Sequence, residues 1–154
     1  DDKTGCLSQM AKVFEQQQCS ILGVEHVDPS ETQSYGIVKS HTIDTGLSKL
    51  EGIVEKPKPE DAPSNLAVVG RYILTPAIFT KLETVTRGAG GEIQLTDGIA
   101  ALLQDEPVLA YEFFGKRYDC GSKLGYLIAT VEQGLKHPEL RDSFKGYLSG
   151  LKVE

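Results

Sequence analysis

An acid and a base stand side by side at Glu55 and Lys56, in the stretch "IVEKPKPEDAPSN" (53–65). A carboxylate can accept hydrogen bonds from ligand hydroxyls, and a lysine ammonium offers phosphate oxygens a compact point charge. Strand ends in α/β sheets border the ligand crevice, so such a pair at a strand end can face a site. Along an extended strand, however, neighbouring side chains point to opposite sides. Both residues reach one ligand only if the chain bends there, and Pro57 biases Lys56 toward an extended or turn conformation. Charged dipeptides at strand ends are ordinarily solvated surface, so the residues alone leave both readings open.

A second candidate is Asp119 in "YDCGSKLGY" (118–126). A carboxylate on a glycine-containing turn can bind Mg²⁺ beside substrate phosphates; equally, Asp119 or Ser122 can cap the helix that follows. Gly36 in "YGIV" suits a close backbone approach by a ligand or a bulge. Glu92 and Asp97 in "GEIQLTD" are read as capping acids at a helix start. Arg71 is either surface or an ion-pair partner. His26, His41 and His137 lack ligand spacing, and no Ser/His/Asp or Cys/His arrangement is visible.

Elements must position these groups. Leu7, Met10, Ala11 and Phe14 recur at helical spacing, which predicts a helix over 7–18. "SILGVEHV" (20–27) has the branched apolar residues of a buried strand, and "DPSETQS" (28–34) is turn chemistry. "YGIVKS" and "LEGIVEK" are predicted strands, with "HTIDTG" between them as a polar loop. A strand over 66–74 carries Gly70 at its middle, the mark of a bulge or a close approach. Pro76 opens a helix to about Val85. "TRGAGGEIQLTD" is a flexible loop leading to a helix with Leu95, Ile99, Leu102 and Leu103 on one face. A strand over 108–115 follows, then a helix capped by Ser122 with Leu124, Leu127, Ile128, Val131 and Leu135 on its apolar side. Pro138 opens a last helix. This succession predicts an α/β fold with a mixed sheet. "GAGG" at 88–91 matches neither GxGxxG nor a phosphate-binding P-loop.

With 154 residues the chain has the length of about one domain. Its net charge of −6 and interspersed charges exclude a basic nucleic-acid-binding surface. No apolar run approaches a membrane span. Three cysteines without a CxxC pair point away from a disulfide framework or zinc site and toward a reducing cytoplasm. The start, "DDKTGCLSQM", reads as a piece cut from a longer chain.

Taken in order, "YGIV", "VEKPKPEDAPSNLAVVGRYILTP", "GAGGEIQLTD" and "GKRYDCGSKLGY" closely resemble the bacterial UTP–glucose-1-phosphate uridylyltransferases, or UDP-glucose pyrophosphorylases. The resemblance runs from "CLSQM" to the helix after Gly125. Shorter forms of some segments occur in related sugar nucleotidyltransferases, including the glucose-1-phosphate thymidylyltransferases. The resemblance implies a Rossmann-like, glycosyltransferase-A-like α/β fold and Mg²⁺-dependent transfer of a uridylyl group from UTP to glucose 1-phosphate. UDP-glucose and pyrophosphate would be the products. It implies that Glu55 binds glucose hydroxyls, that Lys56 binds phosphate oxygens, and that the Gly36 backbone touches the sugar. Val68 and Tyr72 match pocket-lining positions of the thymidylyl enzymes, and Asp119 matches the second of two metal-binding aspartates.

The family's Gly-rich nucleotide loop, its uracil-recognising segment and its first metal aspartate would precede Asp1, so residues 1–154 correspond to the C-terminal, sugar-binding part of one catalytic domain. Helices at about 122–151 would end it. Neither Asp1 nor Asp2 is assigned as a ligand. An isolated chain of this kind is expected to be inactive and to expose an open sheet edge, and the complete protein to be a homo-oligomer. Thymidylyl transfer and a non-catalytic regulatory paralogue are the alternatives.

Overall fold

A computed structural model describes residues 5–86 and 91–152, and the chain divides into two compact units, Asp1–Gly115 and Lys116–Glu154. In the first unit, helix α1 (Cys6–Gln17) leads into strand β1 (Ser20–His26), and a 3₁₀ segment (Pro29–Ser34) leads into the β2–β3 hairpin (Gly36–Asp44, Leu47–Glu55). A 3₁₀ turn (Pro59–Asp61), strand β4 (Leu66–Ile73), helices α2 (Ala77–Thr84) and α3 (Leu95–Leu102) and strand β5 (Val108–Glu112) complete it. The second unit holds α4 (Lys123–Lys136) and α5 (Arg141–Gly150). No helix among the described residues is long and apolar enough to cross a membrane.

The sheet is mixed, as the order of elements predicts. Strands β1 and β5 are parallel, the other pairings are antiparallel, and the order β1-β4-β2-β3-β5 closes on itself. The expected open edge is therefore corrected: these five strands form a ring. The hairpin makes closure possible. Register shifts at Lys39/Ser40 and Thr42/Asp44 coil it, so Leu47–Lys49 at its tip pair with Leu109–Tyr111 of β5 while Ile37 near its base meets Ala67 of β4. The predicted polar loop "HTIDTG" is also corrected. His41–Asp44 continue β2, Thr45 and Gly46 alone make the turn, and Gly46 takes a φ of 67°. Most of that stretch is exposed, so it lacks the apolar alternation that marks a strand in sequence.

Leu22, Val24, Val38, Leu50, Val68 and Val108 join Ile78 of α2 and Ile99 and Leu102 of α3 in the main core. Ile21 and Leu109 join Met10 of α1 in a second cluster. Side chains on successive positions of β1 thus serve opposite faces, which anchors α1 on one side and α2 and α3 on the other. The "SN" after the prolines splices the sheet at a point where no strand pairing reaches. Ser64 Oγ donates to the Val38 carbonyl at 2.7 Å and accepts from Leu66 N–H at 2.9 Å, while Val27 N–H donates to Asn65 O at 3.0 Å.

Gly70 lies in a bulge, with a φ of 68° and nothing near enough to meet a side chain there; between Leu22↔Tyr72 and Val24↔Val68 the register of β4 slips. In the second unit, α4 buries only Ala129, while Leu124, Leu127 and Ile128 of its predicted apolar side are exposed. The last helix begins at Arg141, three residues later than Pro138 suggests. Of the "GAGG" stretch, residues 88–90 lie outside the described residues, as do Asp1 and Asp2.

Candidate functional site

Strand β3 stops at Glu55 because Lys56 takes a left-handed conformation, with φ at 46°. A non-glycine residue there costs about 1–2 kcal/mol, so surrounding contacts must hold it. Lys56 N–H donates to the Tyr35 carbonyl at 2.9 Å, and Pro57 is buried immediately after it. The bend defeats the strand's alternation. Lys56 Nζ and Glu55 Oε1 lie 3.6 Å apart, with the Glu55 side chain 27% exposed and that of Lys56 59% exposed. An ion pair this open adds little stability, so the strained turn is not explained by the pair. Strain held against its cost is typical of functional sites. The condition set by the sequence, a bend that lets both groups converge, is met.

Gly36 faces this bend across the hairpin, paired with Glu55. A Cβ on Gly36 would lie 3.0 Å from Thr96 Cγ2 and 3.3 Å from Glu55 Oε2. Neither bulge is at this position. The glycine is needed because a carboxylate and the first turn of α3 crowd its missing side chain. Tyr72, on β4, is half-buried, and its phenol is raised above the ordinary tyrosine range by burial first and by the Glu55 charge second. Tyr72 is therefore a neutral hydroxyl at physiological pH, near the same carboxylate. Val68 is 5% exposed and belongs to the main core, with Tyr72 and Ile53 packed against that cluster.

Thr96 carries a feature that sequence reasoning missed. Its residue is 6% exposed, and its Oγ1 is buried with no hydrogen-bond partner among the described residues. An unpaired buried hydroxyl costs about 1–3 kcal/mol. Its methyl, and not this hydroxyl, lies against the Gly36 position that the Glu55 carboxylate also borders. A threonine in a helix's first turn carries no distinctive signal in sequence. Nearby, Glu92 and Asp97 are exposed and neither caps α3, whose N-cap residue Gln94 makes no side-chain capping bond. Arg71 is exposed and bonds the Gly70 carbonyl.

Asp119 is in the second unit. Of the two capping candidates, Ser122 is the cap: its Oγ accepts from Gly125 N–H at 3.0 Å. Asp119 Oδ1 instead accepts from Gly121 N–H at 2.9 Å, and the residue is exposed. One hard carboxylate outside any ion pair among the described residues suits Mg²⁺, which takes one or two protein carboxylates and completes its shell with water and phosphates. No cluster of three or more His, Cys, Asp or Glu side chains with metal-binding geometry occurs among the described residues. The chemistry of Asp119 is compatible with one carboxylate ligand of a Mg²⁺ ion that phosphates also hold. His26 and His41 are exposed and pair with Glu112 and Glu51.

A family model for nucleotidyl transferases matches residues 4–133. The chain is 52% identical over 124 residues to a UTP–glucose-1-phosphate uridylyltransferase of Pseudomonas aeruginosa, covering 80% of this chain and 44% of the relative. It is 42% identical over 153 residues to a protein of the same name from Staphylococcus epidermidis, covering 99% and 53%. A solved structure of UDP-glucose pyrophosphorylase complexed with UDP-glucose superposes with a TM-score of 0.84 at 42% identity, over 89% of this chain and 52% of that one. The chain thus spans about half the length of the curated relatives it matches. It belongs to the nucleotidyl transferase family.

Proposed function

We propose that this chain is the sugar-phosphate-binding part of an enzyme that transfers a uridylyl group from UTP to glucose 1-phosphate. The observation that carries the proposal is the convergence of Glu55 and Lys56 at a strained turn, across from a glycine whose missing side chain would be crowded by Glu55 and Thr96. The names of the similar proteins point to these substrates, and a carboxylate beside an ammonium supports the reading.

In the reaction a phosphate oxygen of glucose 1-phosphate forms a bond to the α-phosphorus of UTP. The bond from that phosphorus to the bridging oxygen breaks, and pyrophosphate leaves with the electron pair. No protein nucleophile is needed, so the residues act by placing the reactants and stabilising negative charge. Lys56 meets the sugar-phosphate oxygens as a point charge. Glu55 accepts hydrogen bonds from glucose hydroxyls. A half-buried carboxylate left without its hydroxyl partner loses a charge-assisted hydrogen bond, which gives selectivity for the sugar. Gly36 leaves room for the Glu55 carboxylate, Tyr72 supplies a protonated wall, and Val68 packs beneath it. Asp119 would hold Mg²⁺, which supplies charge neutralisation to the phosphates when bound.

Steady-state kinetics of Lys56→Ala in the full-length protein test the proposal. Loss of one preorganised charge at the attacking sugar phosphate should lower kcat by about 100-fold, with the fold retained by circular dichroism. Unchanged turnover would remove Lys56 from the reaction and with it the proposal's central group.

A further inference from the structure

We infer that Glu132 is a positioning residue for Asp119: its carboxylate clasps Lys116 and Tyr118 and so fixes the loop that presents Asp119 to a divalent cation. The inference rests on the transferase reading of Asp119 given above.

All the groups involved lie in the second unit, and the two oxygens of Glu132 are divided between two loop residues. Lys116 Nζ donates to Oε1, and Tyr118 O–H donates to Oε2 at 2.6 Å. The Lys116 ammonium also sits 5.2 Å from the centre of the Tyr118 ring, which closes a three-cornered contact. Residues 116 and 118 are therefore both drawn to α4 immediately before Asp119. The hydrogen bonds from Lys116 and then Tyr118 hold the Glu132 carboxyl below its usual range, and the bond to Glu132 raises Lys116. Both partners are charged at neutral pH, so the clasp is closed there.

On the other side of Asp119 the chain is fastened again. Gly121 N–H holds Oδ1, Ser122 Oγ donates to the Asp119 carbonyl at 3.3 Å, and a Cβ on Gly125 would stand 2.0 Å from that carbonyl oxygen. No side chain could occupy position 125 without moving the Asp119 backbone. The Asp119 loop is thus held to α4 at its cap, Ser122, and through Lys116 and Tyr118 at Glu132. A loop held at both flanks loses little freedom when its carboxylate takes a cation. Partners of this outer kind commonly change metal affinity about 10- to 100-fold when removed.

The test uses Mn²⁺ as the probe, with full-length protein and saturating UDP-glucose, and reads enzyme-bound Mn²⁺ by water-proton relaxation alongside steady-state kinetics. Glu132→Gln keeps shape and an acceptor for Tyr118 but loses its charge pairing with Lys116. It should weaken Mn²⁺ binding about 10- to 100-fold and lower kcat, with the KM for glucose 1-phosphate unchanged. Tyr118→Phe, which deletes one hydroxyl, should move both readouts the same way by less, and it carries the test should Glu132→Gln fail to fold. Wild-type Mn²⁺ affinity in either folded variant, with an active wild type, overturns the clasp and leaves the transferase reading standing. A wild type that forms no UDP-glucose overturns both.

Discussion

At the scale of single residues, the site turns on one backbone angle. Extended, Glu55 and Lys56 would diverge; the left-handed turn at Lys56 brings their charges to 3.6 Å. That a bend was required could be read from alternation alone, but not that Lys56 itself would supply it, since lysine has no preference for positive φ. Gly36 was visible as a residue with a purpose, whereas Thr96 was not, because an orphan hydroxyl is defined by what fails to surround it. The neighbouring Tyr72 yields a pH prediction. Burial and the Glu55 charge raise its phenol in the folded state, so its proton is held more tightly there than in the unfolded chain. Its contribution to stability is complete below the ordinary tyrosine range and lost as pH rises through the raised value. Phenolate absorbance of wild type minus Tyr72→Phe should titrate above free tyrosine, and Glu55→Gln should move that component partly back. A component titrating with free tyrosine would contradict the placement of Tyr72 beside Glu55.

At the scale of elements, branched apolar runs located β1 and β4, and helical spacing located α1 and α3, because each buries one face or both. The outer half of β2 escaped for the opposite reason: it is held by its backbone ladder and buries little. The bulge in β4 shows how a single residue shapes the ring. At Gly70 a Cβ would meet nothing, so substitution there isolates the cost of the left-handed backbone. Gly70→Ala should lower stability by about 1–2 kcal/mol in urea denaturation with no change in m-value. A neutral substitution would mean that the bulge relaxes. On α4, helical spacing marks Leu124, Leu127 and Ile128 as one apolar stripe, which is exposed, since periodicity records a stripe and not what covers it. The role inferred for Glu132 was equally hidden. It lies along α4 from Asp119, and only the fold brings its carboxylate to the loop.

At the scale of the molecule, the mixed sheet follows from the order of the elements, while its closure does not. Closure depends on two register slips in one hairpin and a single pairing of Ile37 with Ala67, none of which leaves a pattern in composition. Family membership was legible because long, specific segments recur in a fixed order, and the similar proteins agree with it over most of the chain. The chain is about half as long as those relatives, and the proposed transfer concerns a protein of their full length. The most direct measurement is therefore a competition assay on that protein, with UTP and dTTP at equal concentration, glucose 1-phosphate and Mg²⁺, and separation of the nucleotide sugars formed. UDP-glucose should be the principal product, with pyrophosphate released in equal amount. A predominance of dTDP-glucose, or no nucleotide sugar at all, would contradict the account.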